Sequence, residues 1–333
     1  MKRTVKISDL SQEEIQLVLD AKARRKQRIT MVLPYVGIVL LLLFFSLFTD
    51  GKFFQIDNFK LLVSQCFTTT IVVMGCAFLY AEGCLDMAVG AVMAVSTLVL
   101  TRSILNLQLP IGIALLLAVV VSIFFMSITA LTKNFLHVEA FVASMCILYL
   151  CSGIVQISEA DGTTYFPYSA YKYFDSPVIK TVTLIVLFGI GYVLFNYTRV
   201  GKSLKAIGGN SVVAKISGIN LNWFNWIAYT LCAVTLAIAG LFSVVRTGQV
   251  DSAAGSGLNL NVITAVVLGG SPLTGGTNSR FLSPVLGSLM VTILTNGLAL
   301  MGYANAIGYF IKGVMFLVVV GLTYERSKGK LIS

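Results

Sequence analysis

LPIGIALLLAVVVSIFFMSITAL, residues 109–131, carries no charged side chain, and its one proline stands at the second position. Wound as a helix at ~1.5 Å per residue, such a run crosses the ~30 Å hydrocarbon core of a bilayer, which takes ~20 residues. It lacks the period-2 alternation of a barrel strand. A helix also satisfies its backbone polar groups within the segment, which lipid requires. Comparable runs cover Ile29–Phe48, Leu61–Tyr80, Val138–Ile157, Val178–Tyr197, Trp223–Val245, Phe281–Leu300 and Ile307–Thr323. Two shorter, glycine-broken segments, Cys84–Thr101 and Leu258–Gly270, complete the set. The sequence therefore predicts an all-α, polytopic helical membrane protein of about ten transmembrane segments.

Composition agrees. Hydrophobic residues make up 57% of the chain and charged residues 11%, with a mean hydropathy of +0.88, outside the soluble range. The net charge of +10 is read by loop, as membrane orientation, and not as a nucleic-acid footprint. The six cysteines (Cys66, Cys76, Cys84, Cys146, Cys151, Cys232) lie in or beside apolar runs without metal-ligand spacing, so each reads as a small buried hydrophobe.

Residues 1–28 predict a basic amphipathic helix and no secretory signal. Ser11 and Glu14 form a capping box, Leu10 and Ile15 a staple, and Ile15, Val18 and Leu19 one apolar face. Lys22, Arg24, Arg25, Lys26 and Arg28 follow, as a positive-inside anchor or a contact for anionic lipid. With the start in the cytoplasm, alternation puts residues 132–137 (Lys133), 198–222 (Arg199, Lys202, Lys205, Lys215) and the tail 324–333 (Arg326, Lys328, Lys330) inside. The 158–177 loop, with Glu159, Asp161 and Asp175, falls outside. Both termini are thus expected in the cytoplasm.

The broken segments hold the polar groups. EGCLDMAVG (82–90) and AAGSGLNLNVITAVVLGGSPLTGG (253–276) occupy corresponding positions in two pseudo-repeated halves, a pattern found around transport pathways. Asp86 reads either as a helix cap after the break at Gly83 or as a pathway residue. Asn259, Asn261 and Asn296 could bond a solute's hydroxyls or tie helices together. VGKS (200–203) lacks the first glycine of a phosphate loop, because Asn196 stands there. The lone His137 sits at a span edge and is not read as catalytic. No metal pair or nucleophile elbow is visible, so no enzymatic activity and no cofactor are expected of the chain itself.

AIGGNSVVAKISGIN (206–220) interrupts the apolar pattern. Asn210 is placed to cap a two-turn helix and Gly218 to end it, with Val212, Val213 and Ile216 on one face. That face needs a partner, or else lies on lipid headgroups or the bundle.

TRVGKSLKAIGGNSVVAKISGINLN (198–222) resembles the cytoplasmic loop of the ribose-type permease family of ATP-binding-cassette importers. AVVLGGSPLTGG (265–276) resembles that family's second signature, and GCLDMAVG (83–90) its Gly-x-x-Asp element. The resemblance implies a permease domain over 29–323 with a coupling helix that sits in a groove of an ATPase subunit. Gly208, Gly209, Asn210, Ala214, Ser217, Gly218 and Ile219 are the matching positions. It also implies ATP and Mg on that partner, an extracytoplasmic solute-binding protein, and a second permease chain, identical or not. The expected place is the bacterial inner membrane, and the expected solute a monosaccharide. A nucleoside, an autoinducer-type sugar or a branched-chain amino acid is the alternative, and an ion-coupled carrier the more distant one. Lys215 stands where the family has a small residue, and TNSRFLSP (277–284) replaces a more glycine-rich run.

Overall fold

The computed structural model describes residues 34–303 apart from Asp50 and Asp161, with scattered residues between 307 and 317. The N-terminal amphipathic helix, the tail and most of the last expected span lie outside the described residues.

The helices follow in order: α1 (Pro34–Phe48), a 3-10 turn (Lys52–Phe54), α2 (Ile56–Glu82), α3 (Val89–Leu105), α4 (Ile111–Leu136), α5 (Ala140–Ser158), α6 (Tyr168–Tyr171), α7 (Pro177–Asn196), α8 (Arg199–Gly209), α9 (Ser211–Ile216), α10 (Leu221–Thr247), α11 (Leu258–Leu268) and α12 (Leu282–Leu300). Among the described residues six helices (α2, α4, α5, α7, α10 and α12) are long and apolar enough to span a membrane, while α1, α3 and α11 are shorter apolar helices. A polytopic helical membrane protein is what these lengths and compositions describe.

Burial sorts the helices into two layers. Two thirds of the most apolar stretch of α2 is buried (67%), against 6% for α7. Helices α2, α10 and α12 form the centre, and α4, α5 and α7 turn apolar side chains such as Leu116, Tyr149 and Ile185 outward. A helix that is apolar all round and exposed fits a lipid neighbour. The core seam of α10 is built from small residues, Ala228, Ala233, Ala237 and Gly240, which let neighbouring helices approach. The hydroxyls of Thr70 on α2 and Ser288 on α12 meet at 2.8 Å.

At one end of the bundle, β1 (Thr164–Tyr165) pairs antiparallel with β2 (Gln249–Val250), Thr164 opposite Val250. The buried Glu159 carboxylate accepts from Thr164 N–H (2.7 Å) and Oγ1 (2.8 Å) and pairs with Arg102 (3.0 Å). Glu159, which the sequence places in the 158–177 loop, thereby ties α3, α5 and β1 together.

Both expected broken segments are present. After α2 the chain runs unwound through residues 83–88 before α3 begins. In that stretch Asp86 Oδ1 accepts from Ala88 N–H (2.7 Å), and Met87 N–H donates to Ser144 Oγ on α5 (3.0 Å). The two breaks meet in space. A Cβ on Gly90 would lie 2.4 Å from the Gly255 carbonyl oxygen, and one on Gly255 would lie 2.1 Å from that of Gly90. Only glycine allows backbone to touch backbone there.

Two sequence expectations need correction. Residues 132–137 are not a loop, because α4 runs on to Leu136 and stops where His137 adopts a left-handed conformation (φ 55°). The helix outlasts its apolar stretch because Lys133 finds a buried partner. Of the six cysteines, five are buried as expected, but Cys146 is exposed on the outer face of α5.

Candidate functional site

The 198–222 stretch forms two helices. Thr198 Oγ1 accepts from Val200 N–H (3.2 Å) and starts α8, which buries Gly201, Leu204 and Ile207. This helix was not expected, and Gly208 and Gly209 are its last residues. Lys205 Nζ lies 4.2 Å from the Phe195 ring centroid and donates to Asn196 Oδ1 (3.3 Å). Burial holds its ammonium below the usual lysine range.

Helix α9 follows the sequence reading closely. Asn210 Oδ1 accepts from Val212 N–H (3.0 Å) and Val213 N–H (3.1 Å). At the other end Gly218 is left-handed (φ 80°), Gly218 N–H bonds Lys215 O (3.0 Å), and Ile219 N–H bonds Ala214 O (3.1 Å). These two bonds are the Schellman pattern. Ala214 is buried on the bundle side, while Val212, Val213 and Ile216 are 65%, 57% and 81% exposed. Six residues with both ends satisfied thus present three branched apolar side chains outward. Asn210→Ala removes one cap, at a cost of about 1 kcal/mol to α9. Partial loss of solute uptake, with normal membrane insertion, is the expected result in a cell-based assay.

Helix α8 sits on the bundle through Gly208. A Cβ there would lie 2.2 Å from the Ala81 carbonyl oxygen and 2.6 Å from Gly276 N. Gly276 N–H in turn donates to Ala81 O (3.0 Å). The end of α2, the turn before α12 and the last turn of α8 therefore stack at one point. The three stretches that carry the family resemblance converge there.

Beside this junction lies a charge cluster that sequence reading did not find. Glu82 is buried, and its carboxylate accepts from Lys133 Nζ and from Asn225 Nδ2 (3.0 and 3.1 Å). Lys133 Nζ also donates to Cys84 Sγ (2.7 Å). The only sequence signal was an acid and a base at the ends of separate apolar runs.

The four polar pathway candidates do not form one site. Asn261 lines a cavity of about 260 Å³ between α2, α3, α10, α11 and α12, with Gln65, Thr68, Thr292, Ser256 and Arg246 also on its wall. Asn259 stands one residue into α11, outside this lining. Asn296 Nδ2 donates to Asn58 Oδ1 (2.9 Å) and ties α12 to α2. Asp86 is 1% exposed, with one oxygen on Ala88 N–H. Among the described residues no group of three His, Cys, Asp or Glu side chains could hold a metal.

A capped helix thus stands outside the bundle, carried by a helix that packs on the turns flanking two broken segments. The family model described as "Branched-chain amino acid transport system / permease component" matches residues 58–320. The chain belongs to this family. Among its relatives is the ribose import permease protein RbsC of Escherichia coli (strain K12), 28% identical over 281 residues, which covers 81% of this chain and 86% of that one. The protein of that name from Bacillus subtilis (strain 168) is 28% identical over 305 residues, covering 88% and 92%. The fructose import permease protein FruG of Bifidobacterium longum (strain NCC 2705) is 26% identical over 255 residues, covering 72% and 74%.

Proposed function

We propose that this chain is the membrane-spanning permease subunit of an ATP-driven importer and passes a monosaccharide. The observation that carries the reading is α9: a doubly capped helix whose outward face is apolar, carried on α8, whose last turn packs where both broken segments begin or end. In this reading the energy is delivered from outside the chain, and this face is where an ATPase subunit, holding ATP and Mg, would dock. The import permeases among its relatives act on ribose and fructose, which supports the solute class. The cavity wall of hydroxyls and amides suits a small polyol, since each sugar hydroxyl can find a donor or acceptor on it.

In this reading the chain crosses the bacterial inner membrane ten times with both ends in the cytoplasm. It pairs with a second permease chain and receives solute from an extracytoplasmic binding protein. ATP binding by the partner shifts a two-state equilibrium between openings on opposite sides. Asn261 faces the solute, while Asn296 and Asp86 serve the scaffold.

Co-purification with ATPase and binding protein, followed by uptake of labelled solutes into vesicles, tests this. Pentose or hexose uptake that requires ATP and both partners is expected. Uptake of branched-chain amino acids without sugar would overturn the solute class, and gradient-driven uptake by the chain alone would overturn the importer reading.

A further inference from the structure

Two polar groups on the wall of the cavity between α2, α3, α10, α11 and α12 have no work inside the protein. Arg246 stands there in the last turn of α10. Its guanidinium has neither an ion pair nor a hydrogen bond among the described residues. Arg102 and Lys133, in contrast, each reach a buried carboxylate, Glu159 and Glu82. The cavity wall carries no aspartate or glutamate at all. A cation on a membrane helix usually has a partner or faces a pathway.

Thr68 is the second group. It lines the same cavity from α2, is 6% exposed, and its Oγ1 has no hydrogen-bond partner among the described residues. Other threonines of that wall behave differently. The hydroxyls of Thr69, Thr292 and Thr295 each donate to the carbonyl four residues earlier, at 3.1, 2.8 and 2.8 Å. That bond is the ordinary recourse of a helical threonine, and Thr68 does not take it. Buried polar atoms without partners are rare in native proteins, and each needs a cause.

The two groups sit on different helices and complement each other. A guanidinium only donates, through five N–H bonds in a planar fork, whereas a hydroxyl both donates and accepts. Together they call for a ligand with two adjacent acceptor oxygens and a third oxygen nearby. A sugar offers the adjacent pair either as a carboxylate or as hydroxyls on neighbouring carbons. One cation with no acid beside it matches a monoanion better than a dianion, which leaves sugar phosphates outside the class.

We propose that Arg246 and Thr68 recognise the solute in this cavity, Arg246 forking onto two adjacent oxygens and Thr68 bonding a third. This rests on the reading of the chain as a saccharide permease, and it places the discrimination on two residues of the wall.

The test measures uptake by the full-length chain assembled with ATPase and binding protein in lipid vesicles. The probes are a labelled pentose and hexose and the matching aldonate and uronate. Where the carboxylate is the source, the acid is taken up and Arg246→Leu slows its uptake at least about tenfold. Arg246→Lys then keeps part of it, because a point charge still attracts an anion. Where adjacent hydroxyls are the source, the neutral sugar is taken up and both substitutions slow it alike, because only the planar fork serves. Thr68→Val keeps the shape and breaks no bond within the protein, so the melting temperature holds while uptake falls about fivefold. Thr68→Ser restores it. A charge that merely completes the end of α10 predicts full uptake with Arg246→Lys, and that result would overturn the proposal. So would undiminished uptake in Arg246→Leu or Thr68→Val, or losses that track a lowered melting temperature. Wild-type uptake with indifferent variants removes this inference alone, whereas no saccharide uptake by the wild type removes the permease reading with it.

Discussion

Val213→Asp abolishes ATP-driven uptake and ATPase co-purification, while the chain inserts and folds normally. Val213 is more than half exposed and lies in the first turn of α9. A carboxylate there meets water and the favourable end of the helix dipole, so the isolated chain loses nothing. At the docking surface proposed for α9, the same carboxylate would enter an apolar contact without a partner. Burying an unpaired charge costs at least about 3 kcal/mol, or roughly a hundredfold in affinity. Val213→Leu keeps the surface apolar and retains uptake. Pull-down of the ATPase with each variant, alongside membrane quantitation, separates docking from folding. Normal uptake by Val213→Asp would remove α9 from the coupling path.

Gly208→Ala acts from inside the chain. The added methyl would stand 2.2 Å from one backbone atom and 2.6 Å from another, on two different segments. Backbone cannot swing aside as a flexible side chain does, so α8 must lift from α2 or the turn at Gly276 must move. Overpacking of this kind costs about 1–3 kcal/mol. A melting temperature lower by roughly 5 °C is expected for the purified chain. Uptake falls more than tenfold even where folded chain remains, because α9 is carried off its position. Gly209→Ala is the control, since a Cβ there meets nothing within 4 Å. Equal behaviour of the two variants would show that the close approach at Gly208 is incidental.

How much of this was legible beforehand differs by element. The long spans were visible because lipid imposes a length and a composition that no soluble element shares. Helix α9 was visible because capping is local chemistry: Asn210 and Gly218 act within a few residues of themselves. Helix α8 was hidden by Gly201, Gly208 and Gly209, which lower helix propensity and are there to let backbone segments touch. That reason exists only in three dimensions. The asparagines make the same point. Asn296 as a tie to Asn58 and Asn261 as a cavity residue have the same sequence signature, and only the neighbour across the helix tells them apart. The Glu82–Lys133 pair joins residues 51 positions apart, and nothing local to either announces the other.

The contact between Gly90 and Gly255 carries a consequence for how such a protein can evolve. A passage lined by side chains can be retuned one substitution at a time, as a pocket is. Where two main chains press on each other, no substitution is small, because every residue other than glycine brings a wedge. The narrow place between the broken helices is therefore closed to gradual tailoring. On the permease reading proposed above, variation in what the molecule handles would accumulate on the roomier wall around Thr68, Arg246 and Thr292, or in the soluble courier that hands the cargo over. The seam itself stays a fixed bearing on which different cargoes can be fitted.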